Sequence, residues 1–182
     1  GVAQSYFEYI GIPYTHSGVI SSYNAMNKII SKEIFKKNKI LTPKFFALQK
    51  GEFQKNLLKK LLSSKKIKFP IVLKPVNEGS SLGVKIVKNS KFLNKLAQGL
   101  FKKYDQLIFE EYIGGQEIQA AVLNKRALGA IELIPRRFFY DYKAKYNRSA
   151  KTKHLMPARL NKKDYKTVLN IAKKAHKALN CK

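Results

Sequence analysis

At 182 residues the chain can hold one domain or parts of two, and 45% hydrophobic residues with 12% aromatics can build a real core, which excludes a disordered chain. The formal net charge of +26 raises a nucleic-acid partner, yet 32 Lys and only 5 Arg are spread in nothing longer than adjacent pairs, the pattern of a solvated surface. The single cysteine, Cys181, excludes a disulfide framework and a cysteine metal site, and no apolar run approaches the roughly 20 residues of a transmembrane helix.

In chain order, residues 1–10 read as the end of a helix closed by Gly11 and Pro13. A second helix is expected over 21–37, with Tyr23, Met26, Ile30 and Ile34 on one stripe and Lys28 off it. An extended stretch at 44–48 and a helix near 52–62 precede Ile71, Val72 and Leu73, whose unbroken apolar run predicts a strand buried on both faces. Pro75 denies the ladder its next donor, so that strand stops just past Lys74, and residues 84–87 return antiparallel across the loop Gly79-Ser-Ser-Leu-Gly83. Ser90 is expected to cap a helix carrying Leu93, Leu96, Ala97, Leu100, Phe101 and Tyr104 at helical spacing. Strand 107–112 then turns through a hairpin at Gly114-Gly115 into strand 116–123, and a further strand covers 127–134 up to Pro135. The stretch 136–157 has no clean period and is rich in aromatics and cations, which is unusual for a mere connection. Asn161 caps a last helix over 162–179 whose Tyr165, Val168, Leu169, Ala172, Ala175 and Leu179 face a core. Strands and helices mix without a βαβ rhythm, so the fold class is α+β.

Four features call for a joint account. They are Lys28, Lys74 with its glycine-serine loop, Glu110 and Glu117 around the expected hairpin, and the loop from Phe138 to Tyr146. Lysines with an amide-rich loop neutralise a phosphate chain, and a carboxylate accepts from ribose hydroxyls, so together they describe a nucleotide site. The loop is not a P-loop, because no Gly-Lys-Ser/Thr follows its glycines.

These segments, Gly11-Ile-Pro-Tyr-Thr-His-Ser-Gly18, Met26-Asn-Lys28, Ile71-Val-Leu-Lys-Pro75, Glu78-Gly-Ser-Ser-Leu-Gly83, Phe109-Glu-Glu-Tyr-Ile113 and Phe139-Tyr-Asp-Tyr-Lys-Ala-Lys-Tyr146, resemble the D-alanine–D-alanine ligases, enzymes of ATP-grasp fold, along nearly the whole chain. The resemblance implies the end of an N-terminal substrate domain at 1–18, a central ATP-grasp domain at 19–112, and the first, truncated part of a C-terminal ATP-grasp domain at 113–182. ATP would lie between the central and C-terminal domains. Lys28 and Lys74 would hold its α- and β-phosphates, with Ser81 among the nucleotide-binding positions. The backbone at Glu111, Tyr112 and Ile113 with the Glu110 carboxylate would meet the adenine edge, Glu117 the ribose, Phe139 the base, and Lys145 the γ-phosphate. Ser80 and Tyr146 would form the hydrogen-bonded pair that closes the long loop over the first D-alanine. Two departures stand out: the family often has Asp before the Lys28 position and an acid where Lys143 stands.

By the same resemblance the cofactors are ATP and Mg2+, the partners D-alanine and ATP with no nucleic acid and no membrane, the assembly a homodimer, and the location the cytoplasm, as part of cell-wall precursor synthesis. No acid pair at strand spacing follows Glu117, so the metal ligands are expected downstream. The chain opens on Gly1 and stops directly after a strong helix, as an internal piece of a longer protein would, and is expected to be inactive alone. The alternatives are another ATP-grasp carboxylate–amine ligase, a D-alanine–D-lactate ligase, against which Tyr146 argues, or a basic nucleic-acid-binding module.

Overall fold

The computed structural model describes residues 1–135 and 152–182 and divides them into two compact units, Thr42–Gly114 and Gly1–Leu41 with Gly115–Lys182. The expectations for Phe139, Lys145 and Tyr146 lie outside the described residues.

The unit Thr42–Gly114 is a four-stranded antiparallel sheet under two helices. Its strands are β1 (Phe45–Gln49), β2 (Ile71–Pro75), β3 (Lys85–Val87) and β4 (Gln106–Glu111), in the order β1-β4-β2-β3. Period-two alternation sends Phe46, Leu48, Ile71, Leu73, Leu107 and Phe109 to one face, where they meet Leu58 and Leu62 of α4 (Lys55–Ser64) and Leu93, Ala97, Leu100 and Phe101 of α5 (Leu93–Phe101). Phe46 and Phe109 are opposite each other in register, and their rings stack 4.8 Å apart. The apolar run of β2 alternates buried and half-buried, so the second face is less enclosed than the run implied: Val72 and Lys74 lie there. A single-turn 3-10 helix, Lys50–Glu52, precedes α4, and its Gln49 N–H donates to Glu52 Oε2 at 2.8 Å.

The other unit begins with α1 (Val2–Tyr9), α2 (Val19–Met26) and α3 (Lys28–Lys37) and continues with the antiparallel sheet β5 (Glu117–Leu123), β6 (Arg126–Ile134) and β7 (Lys153–Leu155), in the order β5-β6-β7. The closing helix, α6 (Lys162–Ala178), packs on β5 and β6 through half-buried Tyr165, Val168, Leu169, Ala172 and Ala175. As expected, the Asn161 side chain caps it, accepting from Asp164 N at 2.9 Å.

Three expectations are corrected. The single helix over 21–37 is two, because Asn27 leaves helical geometry and its Oδ1 accepts from Ile29 N and Ile30 N, both at 3.1 Å. That cap makes Lys28 the first residue of α3, and the expected stripe loosens: Tyr23 and Met26 are exposed while Ser31 and Lys32 are buried. Asn89, not Ser90, is the cap before α5; its side chain accepts from Lys91 N, and a 3-10 turn, Ser90–Phe92, comes first. Finally, 107–112 and 116–123 are not a hairpin, since β4 and β5 belong to different sheets and Gly115, at φ 121°, lies in the link.

The shared core of the Thr42–Gly114 unit makes a direct prediction. Leu73 is fully buried between α4 and α5, so Leu73→Ala should cost about 2–5 kcal/mol in guanidinium melts, whereas Leu41→Ala, at 98% exposure, should leave the midpoint nearly unchanged.

Candidate functional site

Lys74 stands on the central strand β2, flanked by β3 and β4, on the face away from α4 and α5. Val72, one pleat earlier on that face, is opposite Glu110 of β4, which brings the Glu110 carboxylate to the Lys74 ammonium, and the two form an ion pair. Only 7% of the Glu110 side chain and 20% of the Lys74 side chain are exposed, so each charge is held by the other rather than by water. The pair fixes an ammonium at the end of a rigid strand. Lys74 engages this carboxylate through Oε1.

Beyond Pro75 the chain enters the glycine-serine loop, where Ser80, Ser81 and Gly83 all have positive φ, 52°, 60° and 70°. For two serines this left-handed backbone costs roughly 1–2 kcal/mol each, a strain that surrounding structure must hold in place. Internal bonds hold it: Leu82 N donates to Gly79 O at 2.9 Å and Val84 N to Ser81 O at 3.3 Å. Gly83 is seated on the end of β2, and a Cβ there would fall 2.7 Å from Pro75 Cγ, so the loop closes directly against the residue after Lys74. Pro75 shares the Leu73 face of β2, so Gly83 seats the serine-bearing turn on the strand end from the core side, while Lys74 points to the other face.

After Glu110, the N–H of Glu111 donates to Lys44 O at 2.9 Å and that of Tyr112 to Pro70 O at 3.3 Å, so two of the three amides expected at an adenine edge serve the sheet. Ile113 follows and is exposed. Lys74, Ser80, Ser81, Glu110, Glu111, Tyr112 and Ile113 therefore fall within the unit Thr42–Gly114, while Lys28, half-buried at the start of α3, and Glu117, exposed at the start of β5, belong to the other. Among the described residues no group of three His, Cys, Asp or Glu could hold a metal ion, and no helix is long and apolar enough to cross a membrane.

One polar cluster escaped the sequence reading. Glu132, 3% exposed in the middle strand β6, accepts from Arg159 through Nε to Oε2 at 2.8 Å and Nη2 to Oε1 at 3.0 Å, and from Gln116 Nε2 at 3.1 Å. The only signal was an acid inside the apolar run Ala130-Ile-Glu-Leu-Ile134, which has to find a buried partner. The hydrogen bonds from Arg159 hold the Glu132 carboxyl well below its ordinary 4.5, at about 2, against the opposing effect of burial.

The family model described as D-ala D-ala ligase C-terminus matches residues 34–182. The D-alanine--D-alanine ligase of Pelagibacter ubique is 51% identical over 182 residues, all of this chain and 59% of the relative. Among solved structures, the Bacillus anthracis D-alanine--D-alanine ligase complexed with ATP aligns over 100% of this chain and 55% of its own, with TM-score 0.78 and 29% identity. The VanG D-Ala:D-Ser ligase of Enterococcus faecalis aligns over 100% and 52%, with TM-score 0.84 and 29% identity. The chain thus spans little more than half the length of the relatives it matches.

Because the folded carboxyl binds its proton only near pH 2, the unfolded chain takes up protons first as pH falls. The stability advantage of the wild type over Glu132→Gln should be fully present above about pH 4.5 and shrink as pH falls towards about 2. Thermal melts of both proteins across that range measure it.

Proposed function

The chain belongs to the D-alanine–D-alanine ligase family and has its α+β ATP-grasp fold; on that premise we propose that the complete protein joins two D-alanines at the expense of ATP, for peptidoglycan precursors, in the cytoplasm. The observation that carries this reading is Lys74, held by Glu110 near the end of β2, with a strained serine-glycine turn following the same strand.

A carboxylate is a poor electrophile at neutral pH. The reaction therefore first moves the γ-phosphoryl of ATP to a carboxylate oxygen of the first D-alanine, breaking the bond to ADP and leaving an acylphosphate. The amine of the second D-alanine attacks its carbonyl carbon, inorganic phosphate leaves, and the amine gives up a proton. Such chemistry asks the protein for positioned cations and amide donors rather than a nucleophile of its own.

Lys74 takes a phosphate of ATP and Glu110 serves as its counter-ion; Lys28 adds a second cation. Ser81 contributes to the phosphate contacts, Ser80 to closing the site, and the Glu110 carboxylate with the backbone of Glu111 to Ile113 meets the adenine edge. Glu117 accepts from the ribose. Phe139, Lys145 and Tyr146 keep the roles the family resemblance implies, packing near the base, reaching the γ-phosphate and closing over the first D-alanine. Mg2+ supplies charge neutralisation between phosphates in phosphoryl transfer. The described residues do not fit it, as no cluster of acids stands together, so none is assigned as a ligand and no step is routed through the metal. The 51% identity to a ligase named for D-alanine favours an amine acceptor of that kind over D-serine.

The decisive variant is Lys74→Met with Glu110→Gln, which removes the pair without stranding a buried charge. In the complete protein it should lower kcat/KM for ATP by about 100- to 1,000-fold while the melting curve stays cooperative. D-alanine-dependent release of phosphate and recovery of the dipeptide are the readouts; dipeptide made at the wild-type rate by this variant would overturn the reading.

A further inference from the structure

The Glu132 cluster joins three stretches that are distant in sequence. Its carboxylate, opposite Ile118 of β5 on one side and Leu155 of β7 on the other, takes both forks of the Arg159 guanidinium and the amide of Gln116. The Arg159 N–H also approaches Oε2 at 3.4 Å, and Gln116 Nε2 lies 3.4 Å from Arg159 O, so Gln116 is held by the carboxylate and by the segment that follows β7. Ala158 N donates to Ala130 O at 2.9 Å and keeps that segment on β6.

Gln116 directly precedes Glu117, the first residue of β5. Glu117 is opposite Leu133 and Ile118 opposite Glu132, and since successive strand residues alternate faces, Glu117 lies on the face opposite the cluster. Anchoring Gln116 from one face sets where the strand begins, and with it how Glu117 is presented on the other. We propose that Gln116, Glu132 and Arg159 are positioning residues that fix the start of β5 so that Glu117 meets the ribose hydroxyls of the nucleotide. They touch neither nucleotide nor amino acid. The Arg159 fork locks the carboxylate in one orientation, and the locked carboxylate in turn holds the Gln116 amide. This inference rests on the assignment of Glu117 to ribose.

The test compares ATP with 2′,3′-dideoxy-ATP, which lacks the hydroxyls that Glu117 would accept from, in steady-state kinetics of the complete protein. Glu117→Gln calibrates it. Gln116→Ala and Glu132→Gln should each raise KM for ATP by about tenfold, as the loss of a single net hydrogen bond does, leave KM for the dideoxy nucleotide within about twofold, and barely change kcat. A merely structural role would move both nucleotides together. Gln116→Ala keeps the Glu132–Arg159 pair and so remains informative if Glu132→Gln folds poorly. If Glu117→Gln discriminates between the nucleotides while Gln116→Ala and Glu132→Gln do not, the positioning role is wrong. If Glu117→Gln itself fails to discriminate, the ribose assignment falls and takes the inference with it.

Discussion

An ammonium on the inner strand of a sheet is costly unless a partner takes its charge, and the Lys74–Glu110 pair is the constraint around which the Thr42–Gly114 unit is arranged. The pair requires β4 beside β2, in the register that sets Val72 opposite Glu110. The same register sets Leu73 opposite Phe109 on the other face, where the apolar core under α4 and α5 lies. Slipping it by a single residue would turn Lys74 into that core and expose Leu73. Core and ion pair thus enforce one alignment from two sides of the sheet, and the position of the lysine follows from hydrophobic packing as much as from charge.

Much of this was legible because the pattern of residue types is local. The apolar run ending on Lys-Pro marked β2, the glycine-flanked loop marked the return into β3, and Asn161 announced α6. Sequence reading failed where several local outcomes are of nearly equal cost. The helix break at Asn27 rests on one side-chain oxygen accepting from two amides, in a stretch whose periodicity continues across the break. Helix ends were expected at 37, near 62 and at 179 as well, but a stop signal was read only at Gly11, whereas Lys39, Lys66 and Asn180 take the same left-handed turn after α3, α4 and α6. In each, the two N–H groups past the helix cap return to carbonyls of its last turn, and those bonds offset the cost of a Cβ at positive φ.

The separation of β4 from β5 was not legible for another reason. Two strands joined by Gly-Gly fit a hairpin locally, and pairing is decided by which partners each strand finds elsewhere. β4 is already bounded on both edges, by β1 and β2, so it has no edge left to give β5. Strand β5 instead pairs with β6, and the stretch from Tyr112 to Gln116 becomes a link rather than a turn. The residues expected to meet a nucleotide stand on both sides of that link, from Glu110 before it to Glu117 after it. Each sheet has its own register, which no motif spacing reveals.

The two embedded carboxylates show how the choice of cation divides the work. Glu132 is paired with an arginine, whose planar fork occupies both oxygens and leaves a closed, rigid knot. Glu110 is paired with a lysine, a compact charge with three donors of which a single carboxylate oxygen engages one. A lysine so held keeps the capacity to meet a second anion, while the arginine has spent its geometry on the first. Exchanging the two cations would close the position on β2 and loosen the one beside β6, although the net charge of the chain would not change. In a protein with 32 lysines and 5 arginines, an arginine at 159 is thus a statement about geometry rather than about charge.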